Sequence, residues 1–212
     1  MPDLQFEIES AAVTPNAAVP HLTFKLRITN SEPEPIHSIA LRAQVQIEPA
    51  RRRYTTVERE NLRELFGPHE MWSKSLQPLL WTVVNVPVQG FTGSTIVDVP
   101  IPCTFDFNVA MTKYVHGLEG GQLPIEFLFS GTVFHAGRMG LQIAQIPWDR
   151  HTCFFLAVST WKEMMDTYYP NSAWLCLQRD VFERLYVYKK QHGLPTWERA
   201  LEQLLGAAAE VK

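Results

Sequence analysis

The feature that most constrains the fold is a strict alternation of side chains along residues 39–48. The apolar positions are Ile39, Leu41, Ala43, Val45 and Ile47, and four of the five residues between and after them are polar or charged. Successive side chains of a β-strand point to opposite faces, so this period of two predicts a strand with one face on a core. Strands of parallel sheets are buried on both faces, so half-buried strands of this kind indicate an antiparallel sheet.

The same alternation occurs twice nearer the N-terminus, in residues 4–9 and 22–29. Pro33 and Pro35 separate the second of these runs from the strand at residue 39. Proline has no backbone N–H to donate to a neighbouring strand, so the two prolines exclude a central strand there and predict a loop.

Strand character returns in residues 79–88 and 94–107. Prolines occur within or beside these runs, at Pro87, Pro100 and Pro102. Each proline removes one backbone donor, which predicts edge strands, bulges or strand ends. Residues 123–135 and 138–146 are typical of a hairpin joined near Ala136 and Gly137.

A short helix is predicted in residues 55–66, between two of the strands. Thr55 followed by Glu58 has the spacing of a capping box, and Gly67 with Pro68 is a helix-stop signal.

The last third of the chain changes to a helical period. Trp161, Met164, Met165 and Tyr168 have the spacing of one helix face, with Thr160 and Glu163 as a predicted capping box and Pro170 as the stop. Residues 173–177 are predicted as a short strand. Asp180 then begins a second helix, and Thr196 begins a third, with a frayed end over the last seven residues. The apolar face of the second helix is predicted to point inward through Val181, Phe182, Leu185 and Tyr188.

These patterns together predict the α+β class: an antiparallel β-sandwich-like body with a short inserted helix and a helical C-terminal segment. The body is assigned to residues 1–157, with the inserted helix near 55–66. The helical segment is assigned to residues 158–212 and is expected to pack on the same unit.

Composition narrows the class of function. The net charge of −3 lacks the basic excess that phosphate binding requires, so no nucleic-acid partner is predicted. The single basic run, Arg51–Arg53, is interpreted as a strand end in water. No apolar stretch is long enough for a membrane span, and no leader pattern is present at the N-terminus. Three widely spaced cysteines, Cys103, Cys153 and Cys176, argue against a disulfide framework and favour a cytoplasmic location.

The sequence contains neither a nucleophile elbow nor a phosphate-binding loop, so no catalytic residue and no cofactor are predicted. His151 and Cys153 would project to the same side of a strand, which leaves open a metal site at these two residues. All three cysteines lie in apolar runs and are predicted to be small buried hydrophobes.

Large aromatic residues accumulate in the last third of the chain. Tryptophan, tyrosine and methionine are enriched at the centres of protein interfaces, which leads to the hypothesis that a surface around Trp148, Arg150 and Tyr169 binds a partner protein. The alternative is that the rings join the helices to the sheet.

Three segments carry a family resemblance, at Ile146–Asp149, at Trp161–Asp166 and at Tyr168–Leu175. Through them the chain resembles a bacterial family of unknown function, often encoded near uptake nickel–iron hydrogenase genes. The resemblance implies an accessory or assembly role and supplies no catalytic residues.

Two classes of function follow from these observations. The first is a non-catalytic protein-binding factor that helps a metalloenzyme such as a hydrogenase to mature or assemble. The second is an enzyme or small-ligand-binding protein whose site forms only in three dimensions, for which a pocket around His135, His151 or Asp149 would be the sign. The exposed edges expected of such a sheet also allow a homo-oligomer.

Overall fold

The computed structural model of the chain describes residues 2–103, 109–137, 140–172, 175 and 177–209. Its strands are β1 Leu4–Val13, β2 His21–Asn30, β3 Ile36–Ile47, β4 Leu79–Phe91, β5 Ser94–Pro102, β6 Gln122–Gly137, β7 Gly140–Gln145 and β8 His151–Ala157. Its helices are α1 Thr56–Asn61, α2 Arg63–Phe66, α3 Trp72–Ser75, α4 Val109–His116, α5 Val158–Tyr168, α6 Arg179–Gln191 and α7 Trp197–Ala209. Single 3₁₀ turns cover Pro49–Arg51 and His69–Met71.

The strands form two antiparallel sheets. One has the order β1-β2-β5, and the other has the order β4-β3-β6-β7 with β8 also paired to β6. Aromatic contacts join the facing sides: the ring centroids of Phe24 and Phe127 lie 5.1 Å apart, and those of Phe6 and Phe129 lie 4.4 Å apart. The predicted α+β fold with a sandwich-like antiparallel body is confirmed.

The alternating segments bury the faces that the sequence predicts. In β3, Leu41, Ala43, Val45 and Ile47 are all buried, while the residues between them are half-buried or exposed. The predicted proline positions are also confirmed, because Pro87 lies in β4 and Pro100 in β5, which are edge strands of their sheets. Residues 104–108 of the predicted 94–107 strand lie outside the described residues.

The inserted helix is present but is broken into α1 and α2 at Leu62. Thr55 and Glu58 form the predicted capping box, and Gly67 ends α2 with a φ of 75°. Leu62 and Phe66 are buried against the body, so the apolar side of this segment forms part of the core.

The helical segment departs from prediction at its boundaries. α5 begins at Val158 with no side-chain cap, so the predicted Thr160 cap is wrong, although Trp161, Met164 and Met165 are buried as expected. α6 begins at Arg179, one residue before Asp180. α7 continues to Ala209 through most of the stretch predicted to fray. The predicted strand at 173–177 lies largely outside the described residues.

The chain divides into two compact units, residues 1–172 and 173–212. α5 therefore belongs to the β body, because its apolar face is part of the main hydrophobic core. In the second unit, Phe182 contacts Trp197 of α7, with 5.3 Å between ring centroids. The predicted inward face of α6, formed by Val181, Phe182, Leu185 and Tyr188, stays a prediction.

Strand β6 changes its outer neighbour near its middle. Its first half pairs with β8 and its second half with β7, and Gly131 lies between the two halves with a φ of 143°. A Cβ atom at Gly131 would lie 2.1 Å from the Ala40 carbonyl oxygen, so only glycine allows β3 and β6 to approach there. This change of neighbour leaves β7 and β8 on one edge of the sheet, with residues 146–150 between them.

Candidate functional site

The segment between β7 and β8 forms a tight turn that is held at both ends. Ile146 N donates to Gly131 O at 3.0 Å, and Phe129 N donates to Arg150 O at 2.9 Å. A third bond, from Arg150 N to Pro147 O at 3.2 Å, closes the turn itself. Backbone hydrogen bonds to β6 therefore fix both ends of the 146–150 turn.

Trp148 projects from this turn with 93% of its surface exposed. Tryptophan carries one of the largest apolar surfaces of any side chain, and it is highly buried on average. Here it contributes almost no burial to the fold, so packing does not explain why tryptophan stands at this position.

Arg150 has a structural contact that the sequence did not indicate. Its Nη2 atom donates to Asp3 Oδ1 at 2.8 Å, and its Nε atom lies 4.0 Å from Asp149 Oδ1. Asp3 directly precedes β1, so Arg150 ties the turn to the three-stranded sheet. With one-third of its side chain exposed, Arg150 positions the turn on which Trp148 stands.

Tyr169, the third predicted partner-binding residue, lies on a different element. It follows the last residue of α5, where its N–H donates to Met165 O at 2.7 Å, and its side chain is partly buried against the core. Tyr168 beside it donates to Thr14 O at 2.8 Å. Trp148 and Arg150 thus share one turn, while Tyr169 is part of the packing of α5.

A second cluster lies on the outer face of the five-stranded sheet, where β3, β6 and β8 run side by side. Arg51 Nη1 donates to Cys153 Sγ at 2.7 Å, and Arg51 Nη2 lies 3.3 Å from Glu126 Oε1. Gln46 donates to the carboxylates of both Glu126 and Glu48, at 3.0 and 2.9 Å. The hydrogen bond to Cys153 raises the pKa of Arg51, so the guanidinium keeps its charge.

The cysteines differ from the prediction that all are buried. Cys103 is buried, and loss of solvation raises the pKa of its thiol to about 12. Cys153 is exposed, which contradicts the prediction, because alternation along β8 turns it to the outer face while Leu156 and Phe154 pack inward. Cys176 lies outside the described residues.

His151 and Cys153 do lie on one face of β8, as predicted. The His151 Nδ1 atom is 3.0 Å from the carbonyl oxygen of Asp149, and the Cys153 thiol contacts Arg51. In the part of the chain that the structure describes, no group of three or more histidine, cysteine, aspartate or glutamate residues is placed to hold a metal ion.

The prediction that the Arg51–Arg53 run is solvated is wrong for its middle residue. The Arg52 side chain is only 9% exposed and forms an ion pair with Glu58, which is 2% exposed. Arg52 also donates to Gly120 O at 2.7 Å and to Gln122 O at 2.8 Å. Burial of Arg52 depends on the approach of the α4–β6 connection, which no local pattern shows.

Sequence reasoning also missed Glu126, which is buried in the polar cluster. One signal could have found it: Glu126 is the single charged residue in the apolar run Leu123–Phe129. A charge in such a run is rarely buried without a partner, and here Arg51 and Gln46 supply it.

The described part of the chain also has surface grooves that lie outside these clusters. A groove of about 670 Å³ lies between edge strands β4 and β5 and is lined by residues that include Lys25, Pro87, Ile96 and Asp98. A smaller one of about 250 Å³ lies between α1–α2 and α4. Neither groove is lined by His135, His151 or Asp149, the residues that the enzyme hypothesis names.

Among the described residues, none of the helices combines the length and the apolarity that crossing a bilayer demands.

Comparison with solved structures finds remote similarities. The chain is 13% identical to a protein assigned as ApaA from Bordetella pertussis, with 73% of this chain and 93% of that one covered and a TM-score of 0.28. It is 11% identical to a protein assigned as late embryogenesis abundant, covering 74% and 71% of the two chains with a TM-score of 0.31. For β-glucosidase 3B from Thermotoga neapolitana, the identity is 13%, the coverage 72% and 17%, and the TM-score 0.27. Similarities this remote support no conclusion about function.

No curated protein matches the sequence. One family model does match, and it extends over residues 1–212. The chain therefore belongs to the family of unknown function DUF6084.

Proposed function

We propose that this chain is a non-catalytic protein-binding factor that acts in the cytoplasm in the maturation or assembly of a metalloenzyme. The observation that carries the proposal is Trp148, a tryptophan that is 93% exposed on a turn with a fixed backbone. Tryptophan is among the residues most enriched at the energetic centres of protein interfaces.

The turn supports the proposal because it is ordered before any partner binds. Three backbone hydrogen bonds and the Arg150–Asp3 ion pair hold residues 146–150. Ordering a loop on binding costs free energy, so a side chain presented on a fixed turn loses less of its contact energy to that cost. In this proposal Trp148 is the anchor and Arg150 is the positioning residue.

The partner class rests on the family resemblance given by the sequence, which points to genes near uptake nickel–iron hydrogenases. A hydrogenase precursor or one of its assembly proteins is therefore the proposed partner. The cytoplasmic location draws support from the exposed thiol of Cys153, because free exposed thiols persist where the environment is reducing.

The test is affinity purification of the tagged protein from its native host, comparing wild type with Trp148→Ala. We expect one near-stoichiometric partner with wild type and a loss of about 30-fold in affinity with Trp148→Ala, the size of a hot-spot contact of ~2 kcal/mol. Trp148→Ala should leave the unfolding temperature unchanged, since the side chain packs on nothing in the fold.

Met71→Ala is the matched control, because Met71 is also a large exposed apolar residue but lies on the second 3₁₀ turn. It should keep the partner. Equal retention of the partner by Trp148→Ala and Met71→Ala would contradict the role of Trp148. Purification of the protein alone across growth states would contradict the binding function itself.

A further inference from the structure

We infer that strand β7 is a homodimerisation edge, at which two copies of the chain pair their β7 strands antiparallel about a two-fold axis at Gln142. This inference is independent of the partner proposed for Trp148. It rests on the backbone directions, side chains and charge of one strand.

The free edge of β7 is identified by the hydrogen bonds of its neighbour. Ala136 N donates to Pro35 O, so the backbone of Ala136 is directed toward β3 and away from β7. Ala136 lies opposite Leu141 in the β6–β7 pair. In an antiparallel pair, the backbone groups of successive residues point to alternate sides, so those of Leu141 and Ile143 point outward from the sheet edge.

The same two residues carry the large apolar side chains that are exposed on the strand. Leu141 is 63% exposed and Ile143 is 64% exposed, on one face of β7. Within the described part of the chain, β7 pairs with β6 alone. Outward backbone donors next to exposed aliphatic side chains form a template for one more strand.

Edge strands β4 and β5 are protected in ways that β7 is not. β5 contains Pro100 and Pro102, and its Asp98 is paired with Lys25 at 2.6 Å. β4 contains Pro87. Proline and charged side chains are the usual devices that prevent strands from pairing at an edge. β7 has neither, and the sequence carries no charge from Gly140 to Trp148.

The occupant inferred for this edge is a second copy of the chain. β7 carries no charge with which to select a different protein, and it is complementary to itself in one register. With Gln142 opposite Gln142 of the second copy, Leu141 of each copy lies opposite Ile143 of the other. Both apolar pairs then lie on the same face, and the outward backbone groups of these residues bond reciprocally. Such a self-complementary contact is the form that two-fold dimers take.

The first experiment measures the mass of the wild-type protein in solution by sedimentation and light scattering. We expect twice the mass of one chain. The double variant Leu141→Lys, Ile143→Lys should be monomeric, because each lysine would face a lysine of the other copy. Ile96→Lys is the matched control on edge strand β5, where Ile96 is also exposed, and it should remain dimeric. Thermal unfolding of each variant checks that it is folded.

The second experiment tests the register and does not depend on destabilising the strand. In a Cys153→Ser, Cys176→Ser background, Gln142→Cys places two thiols opposite each other in a non-hydrogen-bonded pair. Cα atoms in such pairs lie about 4.5 Å apart, within the roughly 4.4–6.8 Å that a disulfide spans. Mild oxidation should join the Gln142→Cys chains, whereas Leu141→Cys, which faces Ile143 of the other copy, should stay unjoined.

A wild-type protein that is monomeric at every concentration would overturn the inference. So would a dimer that persists in the double lysine variant, or one that Ile96→Lys dissociates. A dimer whose Gln142→Cys chains do not cross-link while its Leu141→Cys chains do would overturn the register and with it the two-fold axis at Gln142.

Discussion

Arg51 and Arg52 are neighbours in sequence and have opposite environments. Arg51 is about half exposed and reaches over the outer face of the sheet to Cys153 and Glu126. Arg52 turns the other way, to the buried Glu58 and the carbonyl groups of Gly120 and Gln122. Two adjacent arginines therefore lie in two regions that differ in their exposure to solvent.

The surroundings of a charged pair, more than its presence, set its contribution to stability. An exposed pair gains little because water screens it. A buried pair is costly to form but more costly to break, because the remaining charge has no water to solvate it. Glu58 also accepts from the N–H groups of Thr55 and Glu119, so the buried region joins the start of α1 to the α4–β6 connection.

The largest expected difference in stability is between variants that remove each arginine separately. Arg52→Met should lower the free energy of unfolding by about 3–5 kcal/mol, because it leaves Glu58 buried without its partner. Arg51→Met is the matched control and should cost less, about 1 kcal/mol, because water screens the half-exposed guanidinium. Gln46 still donates to the Glu126 carboxylate in this variant. Urea denaturation followed by tryptophan fluorescence measures both values. Similar losses for the two variants would show that burial does not separate the regions.

Two tyrosines, Tyr54 and Tyr114, form a hydrogen-bonded pair beside Arg52 in the buried region. Tyr54 OH donates to Pro49 O at 2.8 Å and lies 2.8 Å from Tyr114 OH, so Tyr114 is the donor between the two hydroxyls. Loss of solvation raises the pKa of both tyrosines, which keeps both hydroxyls protonated.

Tyr54→Phe should therefore lower the free energy of unfolding by more than Tyr114→Phe does. It leaves both the Tyr114 hydroxyl and the Pro49 carbonyl unpaired, at about 1–3 kcal/mol, whereas Tyr114→Phe leaves the bond to Pro49 intact at about 1 kcal/mol. The same urea denaturation experiment measures both. A larger loss for Tyr114→Phe would contradict the assigned direction of the hydrogen bond.

The smallest change in the free energy of unfolding is expected at Glu48, in the cluster on the outer face of the five-stranded sheet. Partial burial, and then the nearby Glu126 carboxylate, raises the pKa of Glu48 above its ordinary value. The folded state thus binds this proton more tightly than the unfolded state, so its ionisation lowers stability as the pH rises above the ordinary pKa.

Glu48→Gln should accordingly raise the free energy of unfolding at neutral pH by a few tenths of a kcal/mol, a value reduced by solvent screening. The glutamine keeps the oxygen that accepts from Gln46. The gain should disappear below about pH 4, where the wild-type carboxyl is also protonated. Unfolding curves at the two pH values measure the difference, and a gain that is the same at both would contradict an electrostatic origin.

Much of the secondary structure could be predicted from local pattern. The alternation in β3, the Thr55–Glu58 capping box and the apolar face of α5 each depend on residues within a few positions, and all three are present. Helix starts were less predictable, because Thr160 and Asp180 have capping spacing but neither caps its helix. A cap is set by the backbone entering the helix as well as by the side chain.

The candidate site residues also divide into those that local sequence could predict and those that depend on distant segments. Trp148 was singled out by its residue type, and the turn that displays it follows from hydrogen bonds to β6, a strand that begins 26 positions earlier in the chain than Trp148. The exposure of Cys153 and the burial of Arg52 were both predicted wrongly, because each depends on which distant segment lies beside it.

By itself, the sequence determined that this chain builds half-buried antiparallel strands with a helical end, since period and capping are local properties. The tertiary structure was needed to show the order of the strands, the change of neighbour of β6 at Gly131, and which of two adjacent arginines is buried. The physical reason is that strand pairing and burial are contacts between residues far apart in sequence, and a local period carries no information about them.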